Sequence, residues 1–287
     1  MNRPGRNYAS PSDSEQPGKR QHFSAGQRDA FVLRRMTLDR ANILDCAIDR
    51  LDMSQTLTRC REIIEQGTFV QQVSINAAKL VALRRDPDLR DVVNRCGLVN
   101  ADGQAVVWAS RLLGDPLPER VAGIDLMHAL IAMAEREGYG IYILGARREV
   151  LETAVQRLRE MHPGLRLVGY HDGYFTDDES PDIAAVIRDS GAQILFVAMS
   201  SPRKEHWIGE YGSTLNVPFV MGVGGSIDVV AGITRRAPRS WQRLGFEWLY
   251  RLFQEPGRMF RRYLATNIRF TILVAREMTA RALRPQR

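Results

Sequence analysis

Strand signals alternate with helix signals along most of this chain, and that alternation restricts its fold more than any other feature. Residues 139–164, "YGIYILGARREVLETAVQRLREMHPG", read as an apolar strand, a turn at Gly145 and an amphipathic helix. "LRLVGYHDGYF" is a further strand running into a polar loop, and "IAAVIRDSGAQILFVAMSSPRKEHWIGEY" reads as helix, strand, loop and helix. "VPFVMGVGGSIDVVAG" closes the series with a strand and a glycine-rich turn. Upstream, "SQTLTRCREIIEQG" reads as a helix capped by Ser54 and stopped at Gly67. "FVQQVSIN" is then a strand, "AAKLVALRRDPDLRDVVNRC" a helix, and "GLVNADGQAVVWASRLLG" a strand end, a turn at 101–103 and a helix from Gln104. Parallel strands need crossovers, so this order implies an α/β, Rossmann-like fold: a mostly parallel sheet with helices on both faces.

Charge is distributed unevenly around that core. The formal net charge is +7, yet from Val229 to the end there are 13 Arg, no Lys or Asp, and three Glu. The rest of the chain is therefore slightly acidic, and the positive field belongs to the C-terminal segment. Residues 1–30 are rich in Ser, Pro, Gly, Gln and Arg without periodicity and read as a disordered leader. The expected organisation is a catalytic α/β domain over residues 42–235 and a basic amphipathic helical appendage over 236–287. No apolar run approaches the roughly 18 residues of a membrane span, and the N-terminus lacks a signal-peptide pattern. Cys46, Cys60 and Cys96 form no CxxC pair and read as small core residues of a reducing compartment. A cytoplasmic protein is expected.

In parallel sheets ligands bind at the carboxyl ends of the strands. That rule selects Ala101–Gly103, Leu144–Arg147, Met199–Glu205 and Gly222–Ser226. Glycines there (Gly103, Gly145, Gly224, Gly225) let backbone N–H groups approach a ligand, and helix starts favour anions. Arg147, Arg203 and Lys204 add charge at the same rim, which suggests a ligand bearing a diphosphate. For any one loop, a glycine that serves only its turn is the competing reading. "GVGG" does not match GxGxxG, and no GxxxxGK[ST] is present, so the signatures of NAD and ATP chemistry are missing. Asp102, just past a strand and before a helix, suits a general base or a helix cap. Glu205 and Asp228 share that ambiguity, and Asp125 reads as a cap or a contact to a ligand hydroxyl. His128, His162 and His206 have no metal-ligand spacing and read as structural or surface residues.

Seven collinear motifs over residues 45–265 resemble the WecG/TagA/CpsF glycosyltransferases: "NADGQAVVWASRLLG", "ERVAGIDLM", "YILG", "GYHDGYF", "AMSSPRKEHWI", "GVGGSIDVVAG" and "RRAPRSWQRLGFEWLYRLFQEPGRMFRRY". The resemblance implies transfer of a hexose, with inversion, from a UDP-sugar to a polyprenyl-diphosphate-linked saccharide at the cytoplasmic membrane face. It implies that Asp102 is the base and that the family's T-x-N motif falls on Ser74 and Asn76, with Ser in place of Thr. It carries the P-x-x-E loop onto Pro202 and Glu205 beside Ser201, and R-A-P onto Arg236, Ala237 and Pro238. "ERVAGIDLM" brings Arg120, Gly123 and Asp125 to the substrate. Stabilising the leaving UDP falls to Arg251, Arg258 and Arg261, because no DxD pair lies in a strand-end loop; no metal or other cofactor is expected.

The basic tail has several readings on its residues alone. Arg251, Arg258, Arg262, Arg269 and Arg276 keep one helical stripe, interrupted at Pro256-Gly257, and Trp248, Leu249, Leu252, Phe253, Phe260, Tyr263 and Leu264 supply an apolar side. Such a helix lies in an anionic membrane interface, each cation adding about 1 kcal/mol. The alternative is a helix docked on the core with a solvated basic face. Nucleic-acid binding is the rival class, but no RRM, KH, HTH or zinc-finger pattern accompanies the arginines. A non-catalytic UDP-sugar-binding or scaffold subunit is the third reading. Other polysaccharide-assembly enzymes complete the expected partners.

Overall fold

The computed structural model describes residues 39–238, 240–241, 247–254 and 256–283. The leader expected over 1–30 lies outside the described residues. The first element is an antiparallel hairpin of β1 (Arg40–Ile43) and β2 (Cys46–Asp49). Its two-residue turn places Leu44 and Asp45 at φ 54° and 62°, the twist that matches paired antiparallel strands. Sequence reasoning missed this hairpin because Leu-Asp lacks the Asn-Gly signature of such a turn. Asp49 ties it to the body: its carboxylate accepts from Val99 N at 2.6 Å and from Arg40 Nε at 2.7 Å.

The body alternates as expected. In order come α1 (Met53–Gln66), β3 (Val70–Ile75), α2 (Ala77–Leu83), α3 (Pro87–Asn94), β4 (Leu98–Ala101), α4 (Gln104–Leu112) and α5 (Gly123–Glu137). Then follow β5 (Ile141–Gly145), α6 (Arg148–Met161), β6 (Leu167–His171), α7 (Ser180–Asp189), β7 (Ile194–Ala198), α8 (Arg203–Tyr211), β8 (Phe219–Gly222) and α9 (Ser226–Val230). The C-terminal segment carries α10 (Glu247–Gln254) and α11 (Pro256–Ala282). The cap of α1 is Asp52, not Ser54. Its carboxylate accepts from Gln55 N at 2.8 Å while Gln55 Oε1 takes Asp52 N at 3.0 Å, a reciprocal box that Ser54, already inside the helix, cannot make. Gly67 ends α1 in the left-handed conformation, as its position suggested.

Six strands form one sheet in the order β4-β3-β8-β7-β5-β6, and every pairing is parallel. One face buries α1, α5, α6 and α9 against Ile141, Ile143, Phe196, Phe219 and Met221. On the other, Tyr142, Leu144, Leu195 and Val197 pack with α7 and α8, and Val73, Ile75, Val99 and Ala101 with α2, α3 and α4. Each large side chain fully buried there contributes about 1.5–3 kcal/mol. Chain order then fixes where a cleft opens. The connection from β7 leads to β8 and that from β5 leads the opposite way to β6, so the two connections part at the carboxyl ends of these paired strands.

The distal half of α11 packs on this body. Phe270 and Val274 are buried in the β3–β4 cluster, with Leu273 against it. Arg281 donates to the Leu113 carbonyl at 2.8 Å and the Asn42 carbonyl at 2.7 Å, and pairs with Glu277 at 3.1 Å. Ile268, Arg269, Ile272 and Arg276 lie on the exposed side.

Candidate active site at the carboxyl edge of the sheet

Register sets the centre of the site. Ile75 pairs with Ala101, so Asn76 and Asp102 leave the sheet edge side by side, and Asp102 N donates to the Ile75 carbonyl at 2.8 Å. Asp102 does not cap α4: that helix has Gly103 at its cap position and no side-chain cap bond. Its carboxylate instead takes the Gly123 N–H, at the start of α5, at 3.0 Å. Gly123 is required by closeness, since a Cβ there would sit 3.0 Å from Ser74 Oγ. Asn76 caps α2, its Oδ1 accepting from Lys79 N at 3.0 Å. Asp102, Gly103, Ser74, Asn76 and Gly123 are thus brought together at one end of β3 and β4.

The switch point between β5 and β7 makes the second part. Gly145 has φ 125°, and a Cβ there would lie 2.5 Å from the Ala198 carbonyl carbon. That close approach lets Ala146 N donate to the Ala198 carbonyl at 3.0 Å and Gly173 N to the Ala146 carbonyl at 2.8 Å. Arg147 stands exposed at the start of α6. Arg203 does not add its charge to the rim in the way proposed from its position. It donates to the carbonyls of Gly173 at 2.9 Å and Phe175 at 2.7 Å and lies over the Phe175 ring, so it braces the loop after β6. Beyond β8, Gly224 and Gly225 lead into α9, whose first turn holds Asp228.

Glu205 neither caps a helix nor reaches solvent. Its carboxylate is buried between Lys79 Nζ at 2.6 Å and Lys204 Nζ at 3.6 Å. Burial opposes its ionisation, but the two ammonium groups outweigh burial and hold its pKa below the ordinary range. Burial, then the nearby Lys79, lowers the pKa of Lys204. Ser201 and Pro202 lie just before this cluster, and the Ser201–Pro202 bond is cis. Lys79 was not singled out from the sequence; its only signal is a lysine three residues past Asn76.

Four charged groups link α5 to the C-terminal segment. Arg236 grips Asp125 with two bonds, of 2.5 and 2.7 Å, and its Nε lies 3.6 Å from Glu247, which pairs with Arg120 at 3.2 Å. Burial opposes ionisation of Asp125, but the Arg236 hydrogen bonds prevail and lower its pKa. Burial and Arg236 push His128 below its usual value. Asp125, read from the sequence as a cap or a contact to a ligand hydroxyl, forms an ion pair with Arg236. Trp241 meets Tyr250 and Phe253 edge-on at 6.0 and 6.3 Å, and Phe253 is 68% exposed. The side chains of Arg251, Arg258 and Arg261 lie outside those described.

All three cysteines are buried, and burial pushes the thiols of Cys46 and Cys96 up to about 12, as small core residues require. His162 pairs with Glu135 at 2.6 Å, a structural contact. Among the described residues no group of three or more His, Cys, Asp or Glu is placed to hold a metal ion, and no helix is long and apolar enough to cross a membrane. The family model described as the glycosyl transferase WecG/TagA/CpsF family matches residues 41–284, which includes every site residue placed above. With the parallel sheet and a carboxylate at its carboxyl edge, that match shows that the chain belongs to the WecG/TagA/CpsF family of glycosyltransferases, enzymes of cell-surface polysaccharide synthesis.

Proposed function

We propose that the chain moves a hexose from a UDP-sugar to a polyprenyl-diphosphate-linked saccharide, with inversion at the anomeric carbon and Asp102 as the general base. One observation carries this reading: the Asp102 carboxylate stands at the carboxyl edge of a parallel sheet, held by the Gly123 N–H, beside Ser74 and Asn76. In the transfer, the acceptor hydroxyl oxygen attacks the anomeric carbon while Asp102 takes its proton. The bond from that carbon to the UDP oxygen breaks, and the electron pair leaves with UDP. Fixed positive charge near the leaving diphosphate lowers the barrier. The roles fall to Arg147 and Lys204 at the rim and to Arg251, Arg258 and Arg261 of the C-terminal segment. N-acetylmannosamine, its uronic acid and glucose all suit the donor.

The basic C-terminal segment, with an exposed aromatic at Phe253, fits a peripheral place on the inner membrane face, where a lipid-linked acceptor resides. The test is direct. The protein is incubated with a panel of UDP-sugars and short polyprenyl-diphosphate saccharides, with and without EDTA, and products are identified by mass spectrometry. A single hexose addition that survives EDTA is expected. Failure of every pair would overturn the transferase reading of this chain, and EDTA sensitivity would overturn only its metal-free part.

A further inference from the structure

We infer that a buried hydrogen-bond chain, Thr56–Asn100–Gln72–Ser74, fixes the orientation of the Ser74 hydroxyl in the cleft, which makes Gln72 a positioning residue for sugar transfer. The inference rests on the transferase reading and deepens it. Side chains alternate along β3 and β4, and two faces result. Val73, Ile75, Val99 and Ala101 point to the apolar layer of α2, α3 and α4. Gln72, Ser74 and Asn100 point to the opposite face, where a strand covered by helices ordinarily carries aliphatic residues. Gln72 and Asn100 are each 1% exposed and Thr56 is fully buried.

The polar groups meet in sequence. Gln72 Nε2 donates to Asn100 Oδ1 at 3.1 Å and to Ser74 Oγ at 3.2 Å, and Asn100 Nδ2 donates to Thr56 Oγ1 at 3.1 Å. Stability alone gives no reason for this arrangement, because Gln72 Oε1 is buried without a hydrogen-bond partner among the described residues. A leucine would remove that orphaned oxygen, at the expense of the donor that Asn100 Oδ1 now has. What the arrangement does supply is direction. Both amide protons of Gln72 are committed, so Ser74 Oγ accepts and its own proton is left to donate. The hydroxyl sits where a Cβ on Gly123 would crowd it, beside the residue whose N–H holds Asp102. A hydroxyl held as a donor at that point suits an oxygen of the bound sugar or of its diphosphate.

The test is a double-mutant cycle on the full chain, with kcat and donor KM measured separately and Tm as a control. Ser74→Ala and Gln72→Leu are each expected to lower kcat by roughly tenfold with a smaller change in KM. In the Ser74→Ala background Gln72→Leu should have no further effect, and in a Ser74→Thr background, where the hydroxyl is present, its effect should return. The Tm of Gln72→Leu should stay within a few degrees of the parent's, because the orphaned Gln72 oxygen is exchanged for an orphaned Asn100 oxygen. Thr56→Val, which removes the far end of the chain with little change in shape, should give a smaller loss of kcat in the same direction. Parental kcat in both Gln72→Leu and Thr56→Val would overturn the inference, as would equal losses with and without the Ser74 hydroxyl. Both outcomes leave the transferase reading intact, whereas absence of turnover by the parent would remove that reading and the inference with it.

Discussion

Asp102 and Glu205 are carboxylates in the connections that leave β4 and β7, and their surroundings differ. Asp102 meets a backbone N–H at the cleft, whereas Glu205 is sealed between two lysines. Replacing Asp102 with Asn keeps the shape and removes the base, so kcat should fall about 10²- to 10⁴-fold, while calorimetry should find UDP binding little changed. Glu205→Gln leaves two buried ammonium groups without their counter-charge and should cost roughly 3 kcal/mol, read as a fall in urea midpoint. Its pH dependence has a definite sign. The folded pKa of Glu205 lies below the unfolded 4.5, so its contribution is present above that value and is lost as pH falls through the folded one. The acid limb of the Glu205→Gln unfolding curve should be correspondingly flatter. Asp102 drew attention from the sequence by its place just past a strand end, and Ser74 and Asn76 through the motif resemblance. The Arg236–Asp125 and Lys79–Glu205 pairs were not legible there, because their partners stand more than a hundred residues apart in sequence and meet only in the folded chain.

At the scale of elements, the parallel strands and their helices were legible from periodicity, since buried strands such as Ile141–Gly145 are continuous apolar runs. The β1–β2 hairpin was not, and the docking of α11 was one of several readings that its residues left open. Its stripe of arginines drew attention to the exposed side, while Phe270 and Val274 on the opposite side reach the core. Phe270→Ala should destabilise the protein by about 3 kcal/mol and raise amide exchange along α11 and α2. The same packing decides how membrane binding must be tested. Truncation near residue 235 would strip a core layer, so loss of liposome binding after it would mean little. Substituting Phe253 and Trp241 by Ser leaves that layer in place. Co-sedimentation with vesicles containing anionic lipid should then fall, with little change in Tm; unchanged co-sedimentation would count against a membrane face there.

Across the whole molecule, α5 and the loop before it meet a segment that begins at Arg236, and the Arg120–Glu247–Arg236–Asp125 network spans the two. Asp125 titrates below its unfolded 3.8, so its share of this network is present above that pH and is lost as pH falls through the folded value. Acidification through the folded pKa, below 3.8, should therefore loosen the contact between α5 and α10 while α11 stays docked, seen as increased proteolysis between Ala237 and Glu247, and Asp125→Asn should show that sensitivity already at neutral pH. Under the proposed function, a segment held by charge beside the donor and turned to lipid by its aromatics would also make two equilibria interdependent. Whatever factor a bilayer adds to UDP-sugar affinity through these four residues, the nucleotide must return to bilayer affinity, because coupling free energy is reciprocal. A donor-loaded enzyme would dwell longer at the surface than an empty one, and the product UDP, on leaving, would loosen the protein from the membrane it has just modified.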